Sequence, residues 1–159
     1  MPDITWVPGW KEANSILVIG ARKGTHWGWT EEKPFRIVVL EIWGPNTREL
    51  TERGWTVVRG DVRHCPFKPK SFDIVYWAHG PEHLQCEEIP DVIAYLELVA
   101  IQRVILESPY GPYTQGTLYG NPYERHLSTL DISDFLSWGY EVIWKGIWGR
   151  GNILAWKTL

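Results

Sequence analysis

The sequence has few cysteines and no long apolar run, and both shortages narrow the class of protein. Only two cysteines occur in 159 residues. Cys65 and Cys86 form neither a CxxC pair nor a metal-ligand spacing, so we expect two free thiols. No apolar run approaches the roughly 18–20 residues that a membrane-spanning helix needs, and no signal peptide opens the chain. We therefore expect a cytoplasmic protein without a membrane partner.

An excess of positive charge is also missing. The formal net charge is −3, which argues against a broad nucleic-acid-binding surface but leaves a local basic patch open. Hydrophobic residues make up 44% of the chain, as in ordinary globular proteins. The length suits a single core, so we predict one domain over residues 1–159.

Tryptophan, by contrast, is abundant. Eleven are present, and we assign most of them to the core and the sheet edges, because aromatic side chains bury much apolar area. Trp27, Trp29 and Trp77 lie beside predicted ligand loops and are candidates for lining a pocket. Tryptophans on the C-terminal strands would favour a homodimer if the chain itself does not cover them.

Short apolar runs separated by glycine, proline and acidic residues predict an α/β fold. Continuous runs of this type are typical of strands buried on both faces of a parallel sheet. The predicted strands are 16–19, 36–42, 56–60, 72–77, 103–106, 140–148 and 152–156. The predicted helices are 44–53, 89–100 and 133–138. The last two strands, with glycines between them, predict a hairpin.

Acidic and titratable residues follow several of these strands. Glu41 ends the second strand, close to the roughly 20-residue offset from Gly20 at which an acid meets a nucleotide ribose. Asp61 follows the third strand, and His79, Glu82 and His83 follow the fourth. Because an open α/β sheet binds ligands beyond the carboxyl ends of its strands, we expect a site there.

Four motifs in this region resemble the class I S-adenosylmethionine-dependent methyltransferases. They are Gly60-Asp61-Val62, Pro66-Phe67, Ser71-Phe72-Asp73-Ile74-Val75 and Glu82-His83-Leu84. The chain is most similar to the branch that acts on small molecules and other non-nucleic-acid substrates. The resemblance implies a three-layer Rossmann-like sandwich with a mostly parallel seven-stranded sheet and an antiparallel C-terminal hairpin. It also implies S-adenosylmethionine as cofactor and a small-molecule methyl acceptor.

The resemblance also assigns roles to residues. The implied cofactor-binding residues are Gly20, Ala21, Arg22, Gly24, Glu41, Ile42, Asp61, Val62, Trp77 and Ala78. Among them, Glu41 would meet the ribose hydroxyls and Asp61 the adenine amino group. His79, Tyr110 and Tyr113 are the candidates for contacting the acceptor, and residues 109–124 are the candidate lid, because long loops often carry function.

His79 is our candidate catalytic base, since the ordinary pKa of histidine lies near neutrality. We interpret Glu82 and His83 as structural, holding the start of the next helix. The spacing of His79, His83 and Cys86 matches no established zinc pattern, so we predict no metal site.

Two positions depart from the family pattern. Val18 stands where the family has an acid that helps to hold the cofactor's amino group, and Arg22 stands where it has a glycine. This leaves open a non-catalytic binding module as an alternative function, and restoring glycine at position 22 should keep or tighten cofactor binding. A nucleic-acid methyltransferase is a further alternative. Its Asp/Asn-Pro-Pro-aromatic signature is replaced here by Trp77-Ala78-His79-Gly80 and is only partly echoed by Ser108-Pro109-Tyr110.

Overall fold

Seven strands form one mixed sheet in the computed structural model, which describes residues 10–22, 36–147 and 150–159. The strands are β1 (Ser15–Ile19), β2 (Arg36–Glu41), β3 (Thr56–Arg59), β4 (Phe72–Ala78), β5 (Ala100–Pro109), β6 (Glu141–Ile147) and β7 (Arg150–Thr158). Their order is β3-β2-β1-β4-β5-β7-β6. β1 to β5 pair in parallel, whereas β7 is antiparallel to both β5 and β6. The predicted fold class is confirmed.

Three α-helices connect these strands in the described part of the chain. They are α1 (Gly44–Glu52), α2 (Ile89–Val99) and α3 (Ile132–Ser137). Short 3₁₀ helices occur at Trp10–Glu12, Val62–His64, Pro81–His83 and Pro122–Glu124. α3 begins with a capping box, in which Asp131 accepts from the Ser133 amide and Asp134 accepts from the Asp131 amide. None of the helices in the described residues is long and apolar enough to cross a bilayer.

The core occupies both faces of the sheet, and β1, an interior strand between β2 and β4, contributes to both. Leu17 and Ile19 pack into one apolar cluster, while Ile16 and Val18 pack into the other. All four side chains are buried. Burial on both faces explains why β1 reads as a continuous apolar run instead of an alternating one.

The tryptophans divide between core and surface. Trp77 and Trp156 are buried, and Trp144 on the edge strand β6 is 39% exposed. Trp27 and Trp29 lie outside the described residues. A homodimer through the C-terminal strands stays a prediction.

Candidate functional site

A cavity of about 1000 Å³, here called the first cavity, opens at the carboxyl ends of β1 to β4. Its volume is at the upper end of the range usual for ligand pockets. The predicted cofactor residues that line it are Gly20, Ala21, Arg22, Glu41, Ile42, Asp61, Val62, Trp77 and Ala78. Gly24, the remaining one, lies outside the described residues. Residues 117–127 contribute most of the opposite wall.

Glu41 brings a buried carboxylate to the end of β2. The residue is only 4% exposed, and its Oε1 accepts from the Trp43 amide at 2.9 Å. Burial raises the pKa of Glu41, although hydrogen bonds from the Trp43 amide and the Asn46 side chain act in the opposite direction. Because an ionised carboxylate has about four acceptor sites, Glu41 retains capacity for hydroxyl groups of a ligand.

Asp61 lies just after β3, and its carboxylate contacts both the backbone and the side chain of Arg63. Its carboxylate accepts from the Arg63 amide at 2.9 Å and forms an ion pair of 2.6 Å with Arg63 Nη2. The hydrogen bond from the Arg63 side chain is the main cause that lowers the pKa of Asp61 below its usual range. Asp61 therefore caps the 3₁₀ helix Val62–His64 and also faces the first cavity.

The loop after β1 contains the two departures from the family pattern. Val18 is fully buried in the apolar core and places no acid at the cavity. Gly20 and Arg22 both have positive φ, +73° and +48°, the left-handed region that suits glycine best. Arg22 Nη2 forms an ion pair of 2.7 Å with Glu124 Oε2. Glu124 is 9% exposed and also lines the first cavity.

Gly80 allows Trp77 to pack tightly at the end of β4. A Cβ atom on Gly80 would lie 1.7 Å from Trp77 Nε1, which is far inside contact distance. Trp77 is 2% exposed and lines the first cavity. The glycine is therefore needed for the position of an indole ring in the cavity wall.

His79 follows β4 and lies between two buried acids. Its Nδ1 is 3.5 Å from Glu82 Oε1, and its Nε2 is 3.4 Å from Glu107 Oε1. Tyr76 donates to Oε2 of Glu107 and Asn152 donates to its Oε1, so both oxygens of that acid have a hydrogen-bond partner. Burial lowers the pKa of His79, but the nearby carboxylates of Glu107 and Glu82 outweigh it and raise this pKa to about 9. At neutral pH His79 is therefore mainly protonated, and as a base it would need alkaline pH.

Glu82 and His83 form the 3₁₀ helix Pro81–His83, and a third residue joins them from the long loop. His126 lies beside His83, with ring centroids 5.0 Å apart. Burial lowers the pKa of His126, which favours the neutral imidazole. The ligand-type atoms of Glu82, His83 and His126 all lie within 4.8 Å of one another.

A second cavity of about 610 Å³ adjoins the first. The predicted acceptor residues Tyr110 and Tyr113 line this second cavity, and His79 and Arg22 line both cavities. Tyr113 is 58% exposed. Apart from Arg22, the described cofactor residues therefore lie away from the two tyrosines, and His79 lies where the cavities meet.

The sequence does not single out three residues of this site. Glu124 and His126 line the cavities and belong to a loop without periodicity. Glu107 contacts His79 and lies in β5, where the sequence predicts a loop. The composition of the loop is the one feature that could have pointed to Glu124 and His126, because acids and histidines are unusual inside a loop rich in tyrosine, proline and glycine. Nothing in the sequence indicated which strand end these side chains would meet.

The fold defined above is found in known methyltransferases. The chain superposes with a TM-score of 0.74 on a SAM-dependent methyltransferase from Archaeoglobus fulgidus, at 14% identity over 97% of this chain and 90% of that one. The N-terminal domain of EvdMO1, solved in the presence of SAH and D-fucose, superposes with a TM-score of 0.66 at 19% identity, over 93% of this chain and 77% of that one. Magnesium protoporphyrin IX methyltransferase from Synechocystis PCC 6803 with bound SAH superposes with a TM-score of 0.65 at 14% identity, over 90% of this chain and 73% of that one. At these identities the likeness concerns the fold alone.

The sequence comparison defines the family. Residues 17–102, more than half of the chain, match the family model described as a methyltransferase domain. No curated protein matches the sequence significantly. The chain therefore belongs to the class I S-adenosylmethionine-dependent methyltransferases, and the predicted family and its cofactor are confirmed.

The residues of the first cavity fit this cofactor. Glu41 offers a buried carboxylate with spare acceptor capacity for hydroxyl groups. Gly20 turns the chain with a positive φ directly after β1. Glu41, Asp61 and Glu124 also put acidic side chains around a cavity that would hold a cationic sulfonium.

Proposed function

We propose that this chain is an active S-adenosylmethionine-dependent methyltransferase with a small-molecule acceptor. One observation supports this most directly. Predicted cofactor residues that follow four different strands, far apart in sequence, line the same cavity. The second cavity adjoins it and shares His79 and Arg22, which suits an acceptor that must reach the transferred methyl group.

In this proposal the protein contributes binding and orientation. The bound cofactor supplies an electrophilic methyl group, and holding the nucleophile in line with it provides most of the rate enhancement. Glu41 accepts from the ribose hydroxyls, and Asp61 and Val62 contact the adenine ring. Trp77 and Ala78 border the methionine portion.

The amino-acid end of the cofactor needs charged partners that Val18 does not supply. We propose that Arg22 and Glu124 take this role. An amino acid carries both a carboxylate and an ammonium group, and the ion pair of Arg22 and Glu124 offers one partner for each. Because Glu124 belongs to the loop over the cavity, cofactor binding would also fasten that loop.

His79 would contact the acceptor at the junction of the two cavities. With its raised pKa, His79 is mainly a cation at neutral pH, and both ring nitrogens face the acids Glu82 and Glu107. Its positive charge would therefore stabilise negative charge that develops on an acceptor oxygen. Proton removal by His79 itself would become effective as the pH approaches about 9.

A non-catalytic binding module is the second candidate function. The observations that favour it are the buried Val18 and the ion pair of Arg22 across the first cavity. A module of this kind would either bind cofactor without turnover or bind no cofactor.

Calorimetric titration with S-adenosylmethionine and S-adenosylhomocysteine, followed by a methyl-transfer screen of small hydroxyl and amine compounds, tests these alternatives. At about 100 times its dissociation constant, either ligand should also stabilise the fold by roughly 2.7 kcal/mol. Binding with turnover supports the transferase. Binding without any turnover supports the module, and absence of binding at millimolar ligand rejects the proposed cofactor site.

A further inference from the structure

We propose that Glu82, His83 and His126 form a binding site for a divalent transition-metal ion in the wall between the two cavities. Glu82 and His126 line the second cavity and His83 lines the first. The three ligand atoms already lie within 4.8 Å of one another. Metal binding at this cluster does not depend on the proposed function. A catalytic use of the bound metal rests on the proposed function.

Glu82 provides the first argument, because its carboxylate is buried without adequate partners. The residue is 2% exposed, and neither carboxylate oxygen has a hydrogen-bond partner among the described residues. Among the described residues, the imidazole nitrogens within 4.0 Å of Glu82 Oε1 are His79 Nδ1 at 3.5 Å and His83 Nε2 at 4.0 Å. A buried carboxylate without hydrogen bonds is costly, and a metal ion would remove that cost.

The two histidines provide the second argument, since both rings are oriented by backbone carbonyl groups. His83 Nδ1 lies 3.0 Å from the Arg125 carbonyl oxygen, and His126 Nδ1 lies 2.6 Å from that of Tyr113. A carbonyl oxygen only accepts, so each Nδ1 carries the hydrogen and each neutral ring keeps its Nε2 lone pair free. Metal-binding histidines usually have this arrangement, with the second ring nitrogen donating to a carbonyl or carboxylate group.

The third argument is that the backbone holds His126 against Glu82. The amides of Leu127 and Ser128 donate to the Glu82 carbonyl at 2.8 Å and 3.1 Å. The His126 amide donates to the Gln115 carbonyl at 3.0 Å. The loop is therefore fixed to the 3₁₀ helix directly after His126 and to its own earlier part at His126, so the imidazole is positioned in advance.

The donor set indicates the type of metal. Two imidazole nitrogens and one carboxylate oxygen match zinc sites that keep an open position, and imidazole favours transition metals over magnesium and calcium. With metal–ligand bonds near 2.1 Å, tetrahedral ligand atoms lie about 3.4 Å apart. The present separations, up to 4.8 Å, would contract by as much as about 1.4 Å through side-chain rotation.

An open position beside the second cavity would also have a use in catalysis. A bound divalent cation acts as a Lewis acid and lowers the pKa of a coordinated hydroxyl or water. An acceptor bearing a hydroxyl group would bind there through its oxygen, which becomes a better nucleophile when its proton leaves to solvent. This assigns the acceptor to the class of oxygen nucleophiles.

The test is metal titration of the chelator-treated protein, with Zn²⁺ followed by calorimetry and Co²⁺ by visible absorption. We expect one ion per chain, with at least tenfold weaker binding for Glu82→Gln and for His126→Ala. His64→Ala removes an exposed histidine outside the cluster and is the matched control, expected to bind as the parent does.

Absence of stoichiometric binding, unchanged affinity in His126→Ala, or a preference for Mg²⁺ over Zn²⁺ would overturn the proposal. Each variant is also titrated with S-adenosylhomocysteine. Retained binding of that ligand demonstrates a folded first cavity, so a failure of the metal site is distinguished from a failure of the cofactor site.

Discussion

Glu41 tests the position of the cofactor most directly, because its carboxylate is buried at the cavity wall and shares no ion pair with a neighbour among the described residues. Glu41→Ala should weaken binding of S-adenosylhomocysteine by roughly 1–3 kcal/mol, the usual effect of losing hydrogen bonds to a buried polar partner. Calorimetric titration measures this. Glu52→Ala, at an exposed position of α1, is the control. Equal affinity for both variants would mean that the ribose site lies elsewhere.

The ion pair of Arg22 with Glu124 leads us to a different prediction for this residue from the one drawn from the sequence. Its positive φ suits glycine, and an ion pair with a half-exposed arginine adds little to fold stability. We now expect Arg22→Gly to leave the unfolding free energy nearly unchanged and to weaken cofactor binding by roughly 1.5–3 kcal/mol, as for a lost charged hydrogen bond.

Glu124→Gln provides the companion measurement for Arg22. Because the two side chains act together, the losses in affinity of the single variants should not add in the double variant. Tighter cofactor binding by Arg22→Gly would contradict the proposal that Arg22 binds the cofactor. It would mean that the arginine side chain hinders binding.

Asp61 gives a prediction on pH dependence. Arg63 holds the pKa of Asp61 below its usual range in the folded state. This stabilisation is present above the ordinary aspartate pKa, about 3.9, and is lost as the pH falls through the lower folded value. Asp61→Asn should therefore have a shallower decline of unfolding free energy below about pH 4.

Urea unfolding at a series of acidic pH values measures this slope. Asp91→Asn, an exposed residue in the first turn of α2, is the control and should keep the parent's slope. A parental slope in Asp61→Asn as well would mean that the ion pair with Arg63 contributes nothing to acid stability.

At the scale of elements, the turn from β4 into the 3₁₀ helix Pro81–His83 is the most constrained connection around the site. Gly80→Ala would drive a methyl group into the Trp77 indole. We expect a loss of roughly 1–3 kcal/mol in unfolding free energy, typical of overpacking, together with weaker cofactor binding because Trp77 lines the first cavity.

Chemical denaturation and calorimetry measure the two effects of Gly80→Ala. Gly116→Ala is the matched control, since an added Cβ there meets no described atom within 4 Å. Equal stability of the two variants would show that Trp77 moves aside without cost.

The elements themselves were largely predictable. Buried strands give continuous apolar runs, and α2 gives a helical period, so the predicted ends lie within two residues of those observed. β5 is the exception, predicted as 103–106 and observed as Ala100–Pro109. Its ends form because β7 pairs with it as far as Pro109 and β4 pairs with it at Ala100. The local sequence of β5 does not show which strands will pair with it, so it does not predict where the strand ends.

At the scale of the whole molecule, the sequence predicted which edge of the sheet would carry the site. Strand-end residues such as Glu41 and Asp61 converge there because parallel strands share one carboxyl edge. The loop side of the site was not predictable, because an irregular segment has no period that reveals its path. Arg22 and Glu124, 102 residues apart, meet only through the tertiary fold.

The loop that forms the outer wall of the first cavity also has a kinetic consequence. Residues 117–127 are fastened to the rest of the molecule at Arg22 on one side and at the Glu82 carbonyl on the other. A cofactor seated beneath this wall would leave when the wall moves, so release of the demethylated product would limit turnover. Salt screens exposed charges such as Arg22, so raising ionic strength should accelerate exchange of S-adenosylhomocysteine. Stopped-flow displacement at low and high salt would reveal this, and a salt-independent rate would mean that the cofactor leaves by another route.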